Sequence, residues 1–183
     1  MKKPFQVLIT AMSTCLLSCN TASTEKTGTD SAASVATNEQ KMEYAYTIDH
    51  PDNWEIGDQK NTAVALKSLK AFENGDIPAA MEGFGDTVRI EFDQMEATLS
   101  NDSLKSMFTK VRSEMKDLKI KMEDWESVIS KDKKTEYVSL WYKQIWTDEK
   151  GKTDSVECMD DVKMKDGKIV LLNEKTRRYA VKK

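Results

Sequence analysis

Asp160 shares the alternating phase of Val156, Cys158, Val162 and Met164, so a strand through these residues points its carboxyl group at the apolar side. A carboxyl there has a raised pKa and can donate a hydrogen bond, which makes Asp160 the candidate acid of a pocket. The same residue also reads as a solvated carboxylate beside Asp161, or as the partner of Arg177 or Arg178. Trp125, Trp141, Tyr142 and Trp146 could line a ligand cavity, with Tyr142 and Trp125 the pocket candidates, although large aromatics on long strands more often serve a core or an interface. Asp86 shares the phase of Val88 and Ile90 but suits a cap or turn, and Glu91 and Asp93 fall on the solvated phase.

Other chemistries lack their residues. His50 is the single histidine, which removes His-rich metal sites and any Ser-His-Asp or Cys-His machine built elsewhere; before Pro51 it suits a pocket lid or, more simply, an exposed arm. There is no Gly-rich phosphate loop, no paired cysteine and no His/carboxylate ligand spacing, so neither a cofactor nor a metal is expected. Cys158, with no His or second Cys near it in sequence, reads as a small buried apolar residue rather than a nucleophile.

The N-terminus reads as an address. Met1-Lys2-Lys3 precedes an apolar run from Val7 to Leu17, too short to span a bilayer, and the run ends in Leu16-Leu17-Ser18-Cys19. That ending resembles the bacterial lipobox, which implies cleavage after Ser18 and lipidation of Cys19; Asn20 in place of the Asp retention signal favours the outer membrane, with the domain facing the periplasm. Acyl chains contribute roughly 0.8 kcal/mol per buried methylene, enough when several share one residue to hold a chain at a membrane its domain never enters. With Cys15 removed and Cys19 acylated, Cys158 is the remaining thiol and no intrachain disulfide can form. From Asn20 to Gln40, 15 of 21 residues are Asn, Thr, Ala, Ser or Gly, a composition with almost nothing to bury. Residues 1–18 thus read as signal peptide, 19–40 as lipidated cysteine and tether, and 41–183 as the folded domain. Loss of Lys2 and Lys3 takes the net charge from -3 to -5, which does not suit a nucleic-acid partner.

Within residues 41–183, an extended arm with Trp54 is followed by Ala65, Leu66, Leu69 and Phe72 at helical spacing, ending at Gly75. Asp76-Ile77-Pro78 starts a second, short helix through Met81, and Thr87 to Phe92 alternates as a half-buried strand with Gln94–Leu99 as its hairpin arm. Leu104, Met107, Phe108, Val111 and Met115 predict a helix from Asp102 to Lys116, capped by Asn101 or Asp102. Four strands follow, Leu118–Ser130, Lys134–Thr147, Lys152–Lys165 and Lys168–Val181, with turns at Lys131-Asp132-Lys133, Asp148 to Gly151 and Asp166-Gly167. The layout is α+β: three helices on one face of a curved, mostly antiparallel sheet. In Lys134–Thr147 both phases are apolar, Val138, Leu140, Tyr142 and Trp146 against Tyr137, Trp141 and Ile145, so a second copy of the chain is expected to cover the outer sheet face.

This order resembles the nuclear transport factor 2-like superfamily, with its SnoaL-like cyclases and ketosteroid isomerases. The carriers are Leu69-Lys70-Ala71-Phe72-Glu73-Asn74-Gly75-Asp76, Phe84-Gly85-Asp86-Thr87-Val88 and Val162 to Ile169. The resemblance implies a cystatin-like cone whose sheet wraps a pocket under the helices. Isomerases of this type need a base, a phenol and a protonated carboxylic acid. Matched on Gly75-Asp76 and Phe84, the phenol position carries Ser68 and the base position Phe92, while the acid falls on Asp160. The expectation is a non-catalytic envelope lipoprotein binding a small apolar or amphipathic molecule, or a protein partner; the alternative is an isomerase, cyclase or dehydratase with a different acid-base set. Two ionisable groups converging on one apolar pocket would favour the enzyme.

Overall fold

The computed structural model describes residues 43–47 and 54–178. The chain divides after Ala45, and the architecture below belongs to the unit from Tyr46 onward. Cys15, Cys19, the signal and tether segments up to Gln40, and His50 lie outside the described residues.

Seven strands and three helices alternate in the order β1 (Trp54–Ile56), α1 (Gln59–Asn74), α2 (Ile77–Met81), β2 (Phe84–Phe92), β3 (Met95–Ser100), α3 (Asn101–Ser113), β4 (Lys116–Ser130), β5 (Glu136–Thr147), β6 (Thr153–Lys165) and β7 (Lys168–Arg177). They form one curved, unclosed sheet in the order β1-β4-β5-β6-β7-β2-β3, antiparallel throughout except where β2 runs parallel to β7. The two halves of the chain therefore meet at the β2–β7 seam, and α1, α2 and α3 lie over the concave face.

Local chemistry sets each boundary. Asp58 caps α1 by accepting from Lys60 N at 2.8 Å, which starts the helix at Gln59. Gly75 ends it in the left-handed region at φ 80°, where a side chain would be strained. Asp76 accepts from Ala79 N and starts α2 with Pro78 in its first turn. The cap of α3 is Ser100, which accepts from Ser103 N at 3.2 Å, rather than Asn101 or Asp102. That helix also stops at Ser113, short of Lys116, because the chain turns there and enters β4 at Lys116. The Asp166-Gly167 turn takes positive φ at both residues, the pattern of a tight hairpin.

Arg112 fastens the helical layer. Its Nε donates to Phe72 O at 2.9 Å, Nη2 to Glu73 O at 2.9 Å, and Nη1 to Met115 O, so one guanidinium ties the end of α1, where Phe72 O also accepts from Gly75 N, to the segment after α3. Glu73 in turn accepts from Ile120 N of β4 at 3.0 Å. Beneath this, Phe108 packs edge-on against Phe72 and Phe84 at 5.5 and 5.7 Å between ring centres. The core joins Val88, Ile90, Leu104, Val138 and Leu140, all essentially without solvent contact, to Val156, Val162, Met164 and Ile169.

Candidate functional site

Between the helices and the sheet lies a cavity of about 140 Å³. Its walls are apolar: Ala65, Leu69 and Phe72 from α1, Met107, Phe108 and Val111 from α3, and Phe84, Phe92, Leu140, Val162, Ile169 and Leu172 from the sheet. Polar groups reach it from Ser68 and from a group of sheet residues, Tyr142, Gln144, Asp160 and Glu174.

The sheet register assembles that group. Asp160 of β6 stands opposite Leu140 of β5 and Glu174 of β7, while Tyr142 stands opposite Cys158, one pleat diagonally from Asp160. Tyr142 Oη donates to Asp160 Oδ2 at 2.9 Å and lies 3.4 Å from Glu174 Oε2. Asp160 is 4% exposed and Tyr142 2%; Glu174 is half-buried. Burial, then the negative Glu174 beside it, pushes the Asp160 carboxyl well above the usual carboxylate range. Burial likewise raises Glu174, against the hydrogen bond of Tyr142 that lowers it. The Tyr142 phenol is raised by burial and by the two carboxyls. One phenol has one proton to give, so when it serves Asp160, a contact with Glu174 is completed only by a proton on Glu174.

Two cavity-lining side chains leave an oxygen without a partner, Asp160 Oδ1 and Gln144 Oε1. Gln144 Nε2 donates to Cys158 Sγ at 3.4 Å, and burial drives the Cys158 thiol far up, which suits a packing role rather than nucleophilic chemistry. Ser68 lines the cavity but spends its hydroxyl proton on Ala80 O at 2.6 Å.

Of the sequence candidates, the fold brings Ser68, Phe92, Tyr142 and Asp160 to this cavity and leaves Trp125 out. No described residue of β4 lines it. Trp125 follows a bulge between Met122 and Asp124, is 49% exposed, and lines a shallow open groove with Glu123, Asp124, Glu126 and Trp141. Arg177 binds Glu157 and Arg178 binds Asp154, while Asp160 turns inward to Tyr142. Glu91 pairs with Arg89 and accepts from Asn173, and Asp86 is exposed. Glu174 and Gln144 are the site residues sequence reasoning missed. Among the described residues no three His, Cys, Asp or Glu side chains cluster as a metal set.

No protein-family model matches the chain, and no curated protein matches it in sequence. Solved structures do match in fold. A candidate SnoaL-like polyketide cyclase from Jannaschia sp. CCS1 superposes with a TM-score of 0.55 at 11% identity, over 69% of this chain and 91% of that one. An NTF2-like protein of unknown function from Burkholderia pseudomallei K96243 gives 0.52 at 13% identity, over 63% and 88%. TerC, co-crystallised with polyporic acid, gives 0.51 at 17% identity, over 63% and 89%. The fold is the nuclear transport factor 2-like, SnoaL-like cone, an α+β architecture, and a fold does not by itself fix a function.

Proposed function

We propose that the cone encloses a compact, largely apolar small molecule and fixes one polar group of it on Asp160, Glu174 and Tyr142. The observation that carries this reading is the cavity itself: apolar walls, with unpartnered buried oxygens on two of its lining residues, Asp160 and Gln144. A cavity of about 140 Å³ suits one substituted ring, since a cavity of about 150 Å³ holds benzene. The co-crystallised ligand of TerC is consistent with a small-molecule role for this architecture. Native mass spectrometry of the full-length chain tests it: the expected result is extra non-covalent mass that an Ala65→Phe variant, which fills the cavity, no longer carries. A folded chain with no ligand mass and no affinity for small apolar compounds overturns it.

A second reading, acid-base catalysis of isomerase, cyclase or dehydratase type, is favoured by the convergence of Asp160 and Glu174 on one phenol. Of two adjacent carboxyls with raised pKa, the first to ionise can act as base while the other stays protonated as acid, an arrangement that typically supplies about 10²- to 10⁴-fold. Phe92 and Ser68 at the isomerase base and phenol positions weigh for binding instead.

We place this domain at the cell envelope, anchored by lipid on Cys19 at the periplasmic side of the outer membrane, on the strength of Leu16-Leu17-Ser18-Cys19. We also propose a homodimer through the outer sheet face, supported by the partly exposed stripe Tyr137, Trp141 and Ile145. Radiolabelled palmitate incorporation that Cys19→Ser abolishes is the expected outcome for the anchor.

A further inference from the structure

We infer that the polar group this cavity takes is an ammonium, so that its ligands are compact primary amines with an apolar body. The inference rests on the proposed small-molecule reading and assigns the ligand's chemistry.

It starts from which hydrogen-bonding capacities are already used. The hydroxyl protons of Ser68 and Tyr142 are committed to Ala80 O and to Asp160 Oδ2, and Gln144 directs its amide nitrogen to Cys158 Sγ. The buried oxygens of the lining left without partners are Gln144 Oε1, an amide oxygen that only accepts, and Asp160 Oδ1, which accepts once its carboxyl has lost its proton. A ligand that satisfies them must bring donors, and an ammonium brings three and accepts none. A ligand carbonyl accepts only from a carboxyl that keeps its proton, and it leaves Gln144 Oε1 without a partner.

Charge points the same way. Asp160 and Glu174 line the cavity, and among the described residues no Lys, Arg or His does. The nearby cation, Lys175, is exposed and bound to Asp161 and Asn173. The charged and titratable groups that bear on the pair are Tyr142 of β5, Cys158 and Asp161 of β6, Lys175 of β7, and Asp93 beyond β2; those lining residues that α1, α2 and α3 supply are uncharged. Buried carboxyls without a cation hold protons; a bound ammonium replaces a proton as the neutralising charge. The walls add Phe72, Phe84, Phe92 and Phe108, whose ring faces also favour a cation. Binding then proceeds as an exchange: the ammonium enters with its charge, and one carboxyl proton leaves to solvent.

Calorimetric titration of the full-length chain with benzylamine and with its neutral isostere benzyl alcohol, in two buffers of different ionisation enthalpy, tests this. The expected result is benzylamine binding at least about tenfold tighter, with proton release. Its affinity should climb by up to about tenfold per pH unit while a carboxyl must be deprotonated, and that of benzyl alcohol should stay flat. Glu174→Gln should close the gap between the two compounds; if that variant does not fold, the pH dependence of the unaltered chain separates the same two outcomes. Equal or tighter binding of benzyl alcohol overturns the ammonium while leaving the small-molecule reading intact. Binding of neither compound, nor of toluene, overturns both.

Discussion

Asp160 and Glu174 are register partners across β6 and β7, and the hydroxyl of Tyr142 lies 2.9 Å from one and 3.4 Å from the other. Two carboxyls that share one phenol under an apolar lid each resist ionisation, Asp160 through burial and the Glu174 charge, Glu174 through burial. The pair therefore stores protons in the folded protein that the unfolded chain releases, and this couples stability to pH.

Asp160→Asn isolates that coupling. Because the folded pKa of Asp160 is raised, the folded state holds a proton above about pH 4 that the unfolded state has lost, and stability falls as pH rises toward the folded pKa. The substituted amide would keep an oxygen for Tyr142 and remove the titration. The variant should match the parent near pH 4 and gain on it as pH rises, by up to about 1.4 kcal/mol per pH unit until the folded carboxyl ionises. Urea unfolding of both proteins from pH 4 to 8 reads this directly; a gap that does not change with pH would mean that Asp160 titrates normally.

Tyr142→Phe removes the hydrogen bond that lowers both carboxyls. Their pKa values should rise further, visible by carbon-detected NMR, and the protein should lose about 1–3 kcal/mol for leaving Asp160 Oδ2 without its donor in a buried site. If Asp160 were solvated, neither quantity would move.

Much of this was legible in the sequence, and the misses come from pairings and coverage that alternation along one strand does not show. Alternation around Asp160 places it correctly because β6 runs without interruption from Thr153 to Lys165 opposite β5. Glu174 is hidden by a bulge: Met164 pairs with Ile169 but Lys163 with Leu171, so one extra residue near Val170 flips the phase, turning Leu172 and Glu174 inward. Trp125 is a different case: its register partner Leu140 lines the cavity, so its phase is the inward one, yet no described residue of β4 reaches the cavity and Trp125 stays 49% exposed. Period-2 reading carries no mark of an inserted residue, and only pairing with a neighbour reveals it. The parallel β2–β7 seam is likewise invisible locally, since its partners are about eighty residues apart. Helix ends fared better at Gly75 and Asp76, which act through their own backbone or side chain; Asp58 went unread, and the cap of α3 shifted by one residue to Ser100.

Arg112 should be the most sensitive residue of the helical layer. Its fork serves three carbonyls, two of them ending α1, the helix that carries Ala65, Ser68, Leu69 and Phe72 over the cavity. Arg112→Ala should cost about 2–3 kcal/mol by urea unfolding, and Arg112→Lys should recover less than half, because an ammonium cannot reproduce the planar fork. Complete recovery by lysine would show that charge at the end of α1, rather than geometry, is what matters.

The outer sheet face gives the last prediction. Tyr137, Trp141 and Ile145 alternate with the inward residues of β5 and stay partly exposed, with Val128 and Met159 as register neighbours of Tyr137 and Trp141. Toward one end of this stripe stand Lys119 and Lys121, and toward the other Asp124 and Glu126. A twofold axis running across the strands sets each lysine end against the acidic end of the other copy, which an axis running along the strands would not do. Sedimentation of the full-length chain should therefore give a dimer that weakens with added salt. Trp141→Glu should convert it to a monomer with unchanged circular dichroism, since a central interface tryptophan typically contributes about 2 kcal/mol or more per copy and the axis counts it twice. A monomeric parent protein would mean that the apolar second phase of β5 serves something other than a second copy.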